Sequence, residues 1–173
     1  MILFASALPL CAQTAVTEPR IAHPDSLFRD REVMLDLFGT LSVGESVIDD
    51  FTRERVRDDG RLGAGAGLTF FFMRYVGVSG EAYTENTADE FVDKASGSLV
   101  VRYPIESVHL APYAFGGAGR QFDPEEEWFG QVGAGLEFRI THHCGIFADG
   151  RYMIFDDADN DIGLGRVGVR LVF

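Results

Sequence analysis

From residue 32 onward, apolar and polar side chains alternate in eight successive runs of about ten residues, the period of a half-buried β-strand. In EVMLDLFGTLS, Val33, Leu35, Leu37 and Leu41 share one face, with Asp36 and Thr40 opposite. LGAGAGLTFFFM sets Leu62, Ala64, Ala66, Leu68, Phe70 and Phe72 against glycines and Thr69. VGVSGEAYTE sets Val76, Val78 and Ala82 against Ser79, Glu81 and Glu85, and ASGSLVVRY sets Leu99, Val101 and Tyr103 against Ser96, Ser98 and Arg102. The fifth run, VHLAPYAFGGAG, is apolar on both faces and leaves its orientation open. WFGQVGAGLEFRI opposes Trp128, Val132, Ala134, Leu136, Phe138 and Ile140 to Gln131, Glu137 and Arg139. CGIFADGRYMI opposes Ile146, Ala148, Tyr152 and Ile154 to Asp149 and Arg151. The last run places Val167, Val169, Leu171 and Phe173 on one face, with Arg166 and Arg170 on the other. No segment has a helical period.

The connectors alternate too. Those after the second, fourth and sixth runs are tight (Arg74-Tyr75, Pro104 to Ser107, Thr141 to His143), with His109 starting the fifth strand. Those after the first, third, fifth and seventh are longer and charged (Gly44 to Arg61, Asn86 to Lys94, Arg120 to Glu127, Asp156 to Asp161). Short turns at one end and long loops at the other predict an all-β fold, an eight-stranded antiparallel up-and-down transmembrane β-barrel. Alternation alone also fits a soluble lipocalin-like barrel with its apolar face inward. Three features favour the membrane form: apolar faces nearly free of charge over a spanning length, Tyr103, Trp128 and Tyr152 near the ends of those faces, and polar faces of Gly, Ser and Thr with charges of both signs. On the polar side lie Arg102, Arg139, Arg151, Arg166 and Arg170 with Asp36, Glu81, Glu137 and Asp149. Inside a narrow barrel these must pair, because an unpaired buried charge is costly. Arg102, Arg139, Arg151 and Arg166 are expected to meet Glu81, Glu137 and Asp149. A one-residue slip of the last strand would turn Arg166 to lipid at about 2–4 kcal/mol near the midplane, so the register is firmly specified.

Composition narrows the function classes. The 173-residue chain carries a formal charge of −12, which argues against a nucleic-acid partner, whose phosphates want a basic patch. MILFASALPLCAQTA is an apolar run ending in small residues, so residues 1–15 are expected to be a secretory signal cleaved after Ala12 or Ala15. Removal takes Cys11 with it, leaving Cys144 without an internal disulfide partner. Residues 16–31 then form a periplasmic lead-in, and residues 32–173 the barrel domain.

Three stretches carry a family likeness. APYAFGGAGRQF has a Pro-Tyr step followed by glycines, GQVGAGLEFRIT has a Gly-x-Gly-x-Glu-aromatic-Arg run before a turn, and VGVRLVF alternates up to a terminal aromatic. In this order they resemble the small OmpA-type outer-membrane β-barrels over about Glu32 to Phe173. The resemblance implies a location in the bacterial outer membrane, contact with its lipid, and recognition of Val167, Val169, Leu171 and Phe173 by the barrel assembly machinery.

The candidate chemistry is sparse. His142, His143 and Cys144 are adjacent soft ligands, but zinc asks for four. No strand joins a Ser and a His at the outer end, where a hydrolytic triad facing external lipid would stand. DDADNDIG places Asp157, Asp159 and Asp161 at alternate positions, but Ile162 stands where a calcium loop needs Gly, so only a weak divalent-cation site is expected there. The long loops carry Asp89, Glu90 and Asp93, then Asp123, Glu125, Glu126 and Glu127, then Asp156, Asp157, Asp159 and Asp161, an acidic rim once the barrel closes. The expected function is a non-enzymatic monomeric envelope protein without a cofactor, structural or surface-interacting through an unidentified external partner. A narrow porin-like channel for small solutes and a soluble ligand-binding barrel stand as alternatives.

Overall fold

The computed structural model describes residues 26–43, 47–48, 55–56, 61–84, 92–122, 126–155 and 162–173. Eight antiparallel strands close on themselves: β1 (Glu32–Val43), β2 (Arg61–Met73), β3 (Val76–Thr84), β4 (Lys94–Arg102), β5 (Leu110–Gln121), β6 (Glu127–Arg139), β7 (Cys144–Phe155) and β8 (Ile162–Val172). Each pairs with its neighbours in sequence, and β8 pairs with β1, so no barrel strand keeps an open edge. The first long loop adds a short hairpin of its own, Val47–Ile48 against Arg55–Val56.

The register fixes the barrel's geometry. Following paired residues around the wall from Val33 leads through Phe70, Val78, Leu99, Gly116, Val132, Tyr152 and Gly163 to Val43. The circuit thus returns to β1 ten residues from its start. With eight strands, standard rise and spacing turn that stagger into a tilt of about 40°.

The two faces settle which kind of barrel this is. Leu62, Leu68, Val132 and Val167 are all more than half exposed, whereas Arg102 and Arg139 are among the largest fully buried side chains. Apolar residues face outward and charges inward, the arrangement of a membrane barrel and the reverse of a lipocalin. The ambiguous fifth strand resolves the same way, with Ala111, Tyr113 and Phe115 buried inside and Ala114 and Ala118 exposed outside.

The polar face holds more than polar residues. Phe38, Phe71, Tyr83, Phe115, Phe129, Phe147 and Phe155 point inward with Met34 and Met153. Inward glycines make room for these rings across the narrow bore. A Cβ on Gly168 would lie 2.7 Å from Phe38 Cβ and 2.9 Å from Phe147 Cε1.

Strand β5 starts at Leu110, one residue after His109, the start expected from the sequence. Glu106–Val108 forms a 3-10 turn, and His109 closes it in the left-handed region (φ 57°). Its N–H donates to the Glu106 carbonyl, and Ile105 bridges Leu110.

Candidate functional site

The inward charges assemble into two layers, each neutral in itself. The layer toward the turns and termini joins Glu32, Asp36 and Glu137 to Arg102, Arg139 and Arg170. Arg170 grips Asp36 with two parallel bonds of 2.7 and 2.8 Å, a fork geometry that favours Arg over Lys, and donates at 2.7 Å to Glu137. Glu137 also pairs with Arg139. Arg139 reaches Glu32 at 3.1 Å and Arg102 reaches it at 2.6 Å. Thr69 donates to Asp36 at 3.3 Å.

The second layer lies nearer the long loops. Arg166 holds Asp149 at 2.8 and 2.7 Å and also pairs with Glu81. Arg151 pairs with Glu81 and donates to Gln131 Oε1 at 2.8 Å. Gln131 in turn donates to Ser96 and Ser98 at 2.9 and 2.8 Å, and Ser96 donates to Glu81 at 2.9 Å. The Tyr113 hydroxyl donates to Asp149 at 2.6 Å. Phe147 stands between the layers, its ring centre 4.8 Å from the Arg170 guanidinium carbon and 5.6 Å from that of Arg166. Aromatic rings here accept cation–π contact from the guanidiniums.

The lead-in closes the turn end. Phe28 is 1% exposed and lies 5.2 Å from the guanidinium of Arg102 and 4.9 Å from that of Arg139. The Arg102 guanidinium also rests 3.8 Å over the Phe71 ring centre. Carbonyls of the lead-in serve the same cations: Leu27 O accepts from Arg139 at 3.1 Å and Arg29 O from Arg102 at 3.3 Å. Glu106 anchors the segment from outside, accepting from Ser26 Oγ at 2.6 Å and pairing with Arg74, while Asp30 accepts from the Arg74 N–H at 2.5 Å.

All nine charges expected inside therefore meet an opposite charge: Arg139 pairs with Glu137, Arg151 with Glu81, and Arg166 with Glu81 and Asp149, while Arg102 departs from the sequence reading. Arg102 has Glu32 as its near partner, with Glu137 only at 4.0 Å. Glu32 makes five carboxylates for five guanidiniums where the sequence reading counts four. It sits at the parity of Asp36 and Thr40 and opens the first run, so the alternation of β1 already places it on the polar face. Gln131 also shared the polar parity, but its role as a bridge depends on neighbours from other strands. Phe28 has no periodic signal at all.

Other expected positions separate. Val167, Val169, Leu171 and Phe173 line the outward face of the last strand, and the Phe173 N–H donates to Val33 O at 2.9 Å. His143 lies in the β6–β7 turn with Nδ1 3.2 Å from the Val172 carbonyl. Cys144 carries a free thiol. Among the described residues no group of three His, Cys, Asp or Glu is placed to hold a metal ion. Asp157, Asp159 and Asp161 lie outside the described residues, as do Asp89, Glu90, Asp123, Glu125 and Asp156. Of the acidic loop residues, Asp93 is buried rather than part of an open rim. It is 6% exposed and accepts from Thr84 Oγ1 at 3.0 Å, because its backbone continues the ladder between Tyr83 and Phe122.

Compared by sequence, the chain matches no family profile and no curated protein. Compared by structure, it resembles the N-terminal β-barrel domain of Pseudomonas aeruginosa OprF at 15% identity and a TM-score of 0.63, over 84% of this chain and 99% of that one. Neisserial surface protein A gives 12% identity and a TM-score of 0.58 over 82% and 97%. Ail, the attachment invasion locus protein of Yersinia pestis, solved with the heparin analogue sucrose octasulfate, gives 16% identity and 0.54 over 83% and 99%. With its closed eight-strand wall, apolar exterior and charge-paired interior, the chain has the fold of the small transmembrane β-barrels of bacterial outer membranes.

Proposed function

We propose that this chain is a non-enzymatic, lumen-closed barrel of the bacterial outer membrane, with its turns in the periplasm and its long loops outward. Its role is structural or surface-interacting. The observation that carries this reading is the filled interior: two neutral ion-pair layers, separated by aromatic rings and capped by Phe28, occupy the bore. Each carboxylate in these layers is already engaged by guanidiniums, which leaves none poised as a general base. An eight-stranded wall encloses just enough space for side chains to fill.

Contact with the exterior then falls to the loops. Their sequences are rich in Asp and Glu, so a cationic partner suits them better than the sulfated ligand seen on Ail. Lipid surrounds the apolar belt, and the alternating face of Val167, Val169, Leu171 and Phe173 is what the assembly machinery reads. The test is conductance of the pure, refolded protein in planar bilayers, alongside a gel shift between unheated and boiled samples. The expected result is a heat-sensitive folded band with no steady current. A steady current from protein that shows the folded band would overturn the closed lumen in favour of a porin-like channel.

A further inference from the structure

The outer wall carries one conspicuous charge. Among the described strand residues whose side chains face outward, Arg120 alone is charged; the others are aliphatic, aromatic, glycine or small. It stands near the loop end of β5, opposite Ala95 on one side and Trp128 on the other. Its guanidinium carbon lies 5.8 Å from the ring centres of both Phe122 and Trp128, and one end of its fork pairs with Glu126. Phe122, Trp128 and the Glu126 side chain are all substantially exposed.

The height of Arg120 on the wall says what it meets. A strand tilted about 40° climbs roughly 2.5 Å per residue along the barrel axis. The ten steps from Leu110 to Arg120 therefore cover about 25 Å, the height of the apolar band of such barrels. Arg120 thus sits where the hydrocarbon ends and the headgroups begin, between aromatic residues that favour the same boundary. Below it, Ala118 lies level with Gly97 and Gly130, leaving a smooth wall for an acyl chain.

We propose that Arg120, flanked by Phe122 and Trp128, binds the headgroup phosphate of a membrane lipid at the loop-end boundary. A guanidinium presents two parallel N–H donors to a phosphate, and headgroup phosphates lie at this depth. The neighbouring loops are acidic, so a phosphate is drawn to this position rather than to the rim. Glu126 competes for the same fork and sets the affinity. The inference rests on the membrane-spanning belt and is independent of which side the loops face.

Trp128 is the single tryptophan of the chain and reports on the site directly. The protein is refolded in dodecyl maltoside, and its emission is followed as dimyristoylphosphatidylglycerol is added. Galactosyl diacylglycerol of equal chain length and inorganic phosphate serve as the other arms. The expected result is a saturable emission change with the phospholipid and none with either control. Arg120→Gln should weaken binding by roughly fivefold or more, and Glu126→Gln should tighten it, because charge-assisted bonds to phosphate are lost or freed. An equal response to the galactolipid, or unchanged affinity in Arg120→Gln, would overturn the proposal; saturation by inorganic phosphate would replace it with a general anion site. Each variant is first checked for the heat-sensitive gel band, and should Arg120→Gln fail to fold, the direction of the Glu126→Gln effect decides.

Discussion

Glu32 holds two guanidiniums of the turn-end layer, so its loss should be felt strongly. It is 3% exposed, accepts from Arg102 at 2.6 Å and from Arg139 at 3.1 Å, and also accepts from the Arg29 N–H at 3.0 Å. Glu32→Gln leaves the turn-end layer with Asp36 and Glu137 against three guanidiniums. Asp36 is held by Arg170, so Glu137 would have to serve Arg102 from 4.0 Å while already engaged by Arg139 and Arg170. At an effective dielectric near 20, one pair at 4 Å is worth about 4 kcal/mol before desolvation. Removing one partner of a buried pair costs about 3–5 kcal/mol overall, because the remaining charge stays out of water. We expect Glu32→Gln to lower the unfolding free energy by about 3–5 kcal/mol, measured by urea titration in detergent with the unheated gel band as the folded signal. Removing a cation as well restores neutrality, so Glu32→Gln with Arg102→Met should cost clearly less than the sum of the two single changes. A loss under about 1 kcal/mol for Glu32→Gln, the size of a surface ion pair, would refute the reasoning. So would strict additivity in the double variant.

Three further outcomes follow from the interior. Phe28→Ala empties a sealed site and removes contact with two guanidiniums, and should cost about 3–5 kcal/mol in the same titration while admitting hydrogen exchange at the Arg102 and Arg139 side chains. Gly119→Ala places a Cβ 2.7 Å from the Ala95 carbonyl and against Phe129, and should destabilise by about 1–3 kcal/mol, whereas Gly130→Ala meets nothing within 4 Å and should be neutral or slightly stabilising. Gln131→Leu strips an acceptor from Arg151 and a donor from Ser96 and Ser98, and should cost about 1–3 kcal/mol by melting in detergent.

What the sequence determined is local. Alternation of side-chain direction belongs to each extended segment, so the eight strands and their two faces are visible in the order of residues from Glu32 to Val172. The alternation of short and long connectors similarly implies up-and-down topology. The exceptions are local too: β5 is apolar on both faces, and the left-handed turn at His109 delays its start. Tertiary structure decided everything that depends on which residues meet. Arg170 and Asp36 are separated by 134 positions, and Arg166 and Glu81 by 85. They meet only because the wall closes with a ten-residue stagger. That stagger sorts ten charges into two neutral layers and gives Arg102 to Glu32. Closure also brings aromatic rings that share the polar parity opposite glycines, and folds Phe28 back beneath the guanidiniums. Side-chain periodicity specifies a face; only the register of distant strands specifies a partner.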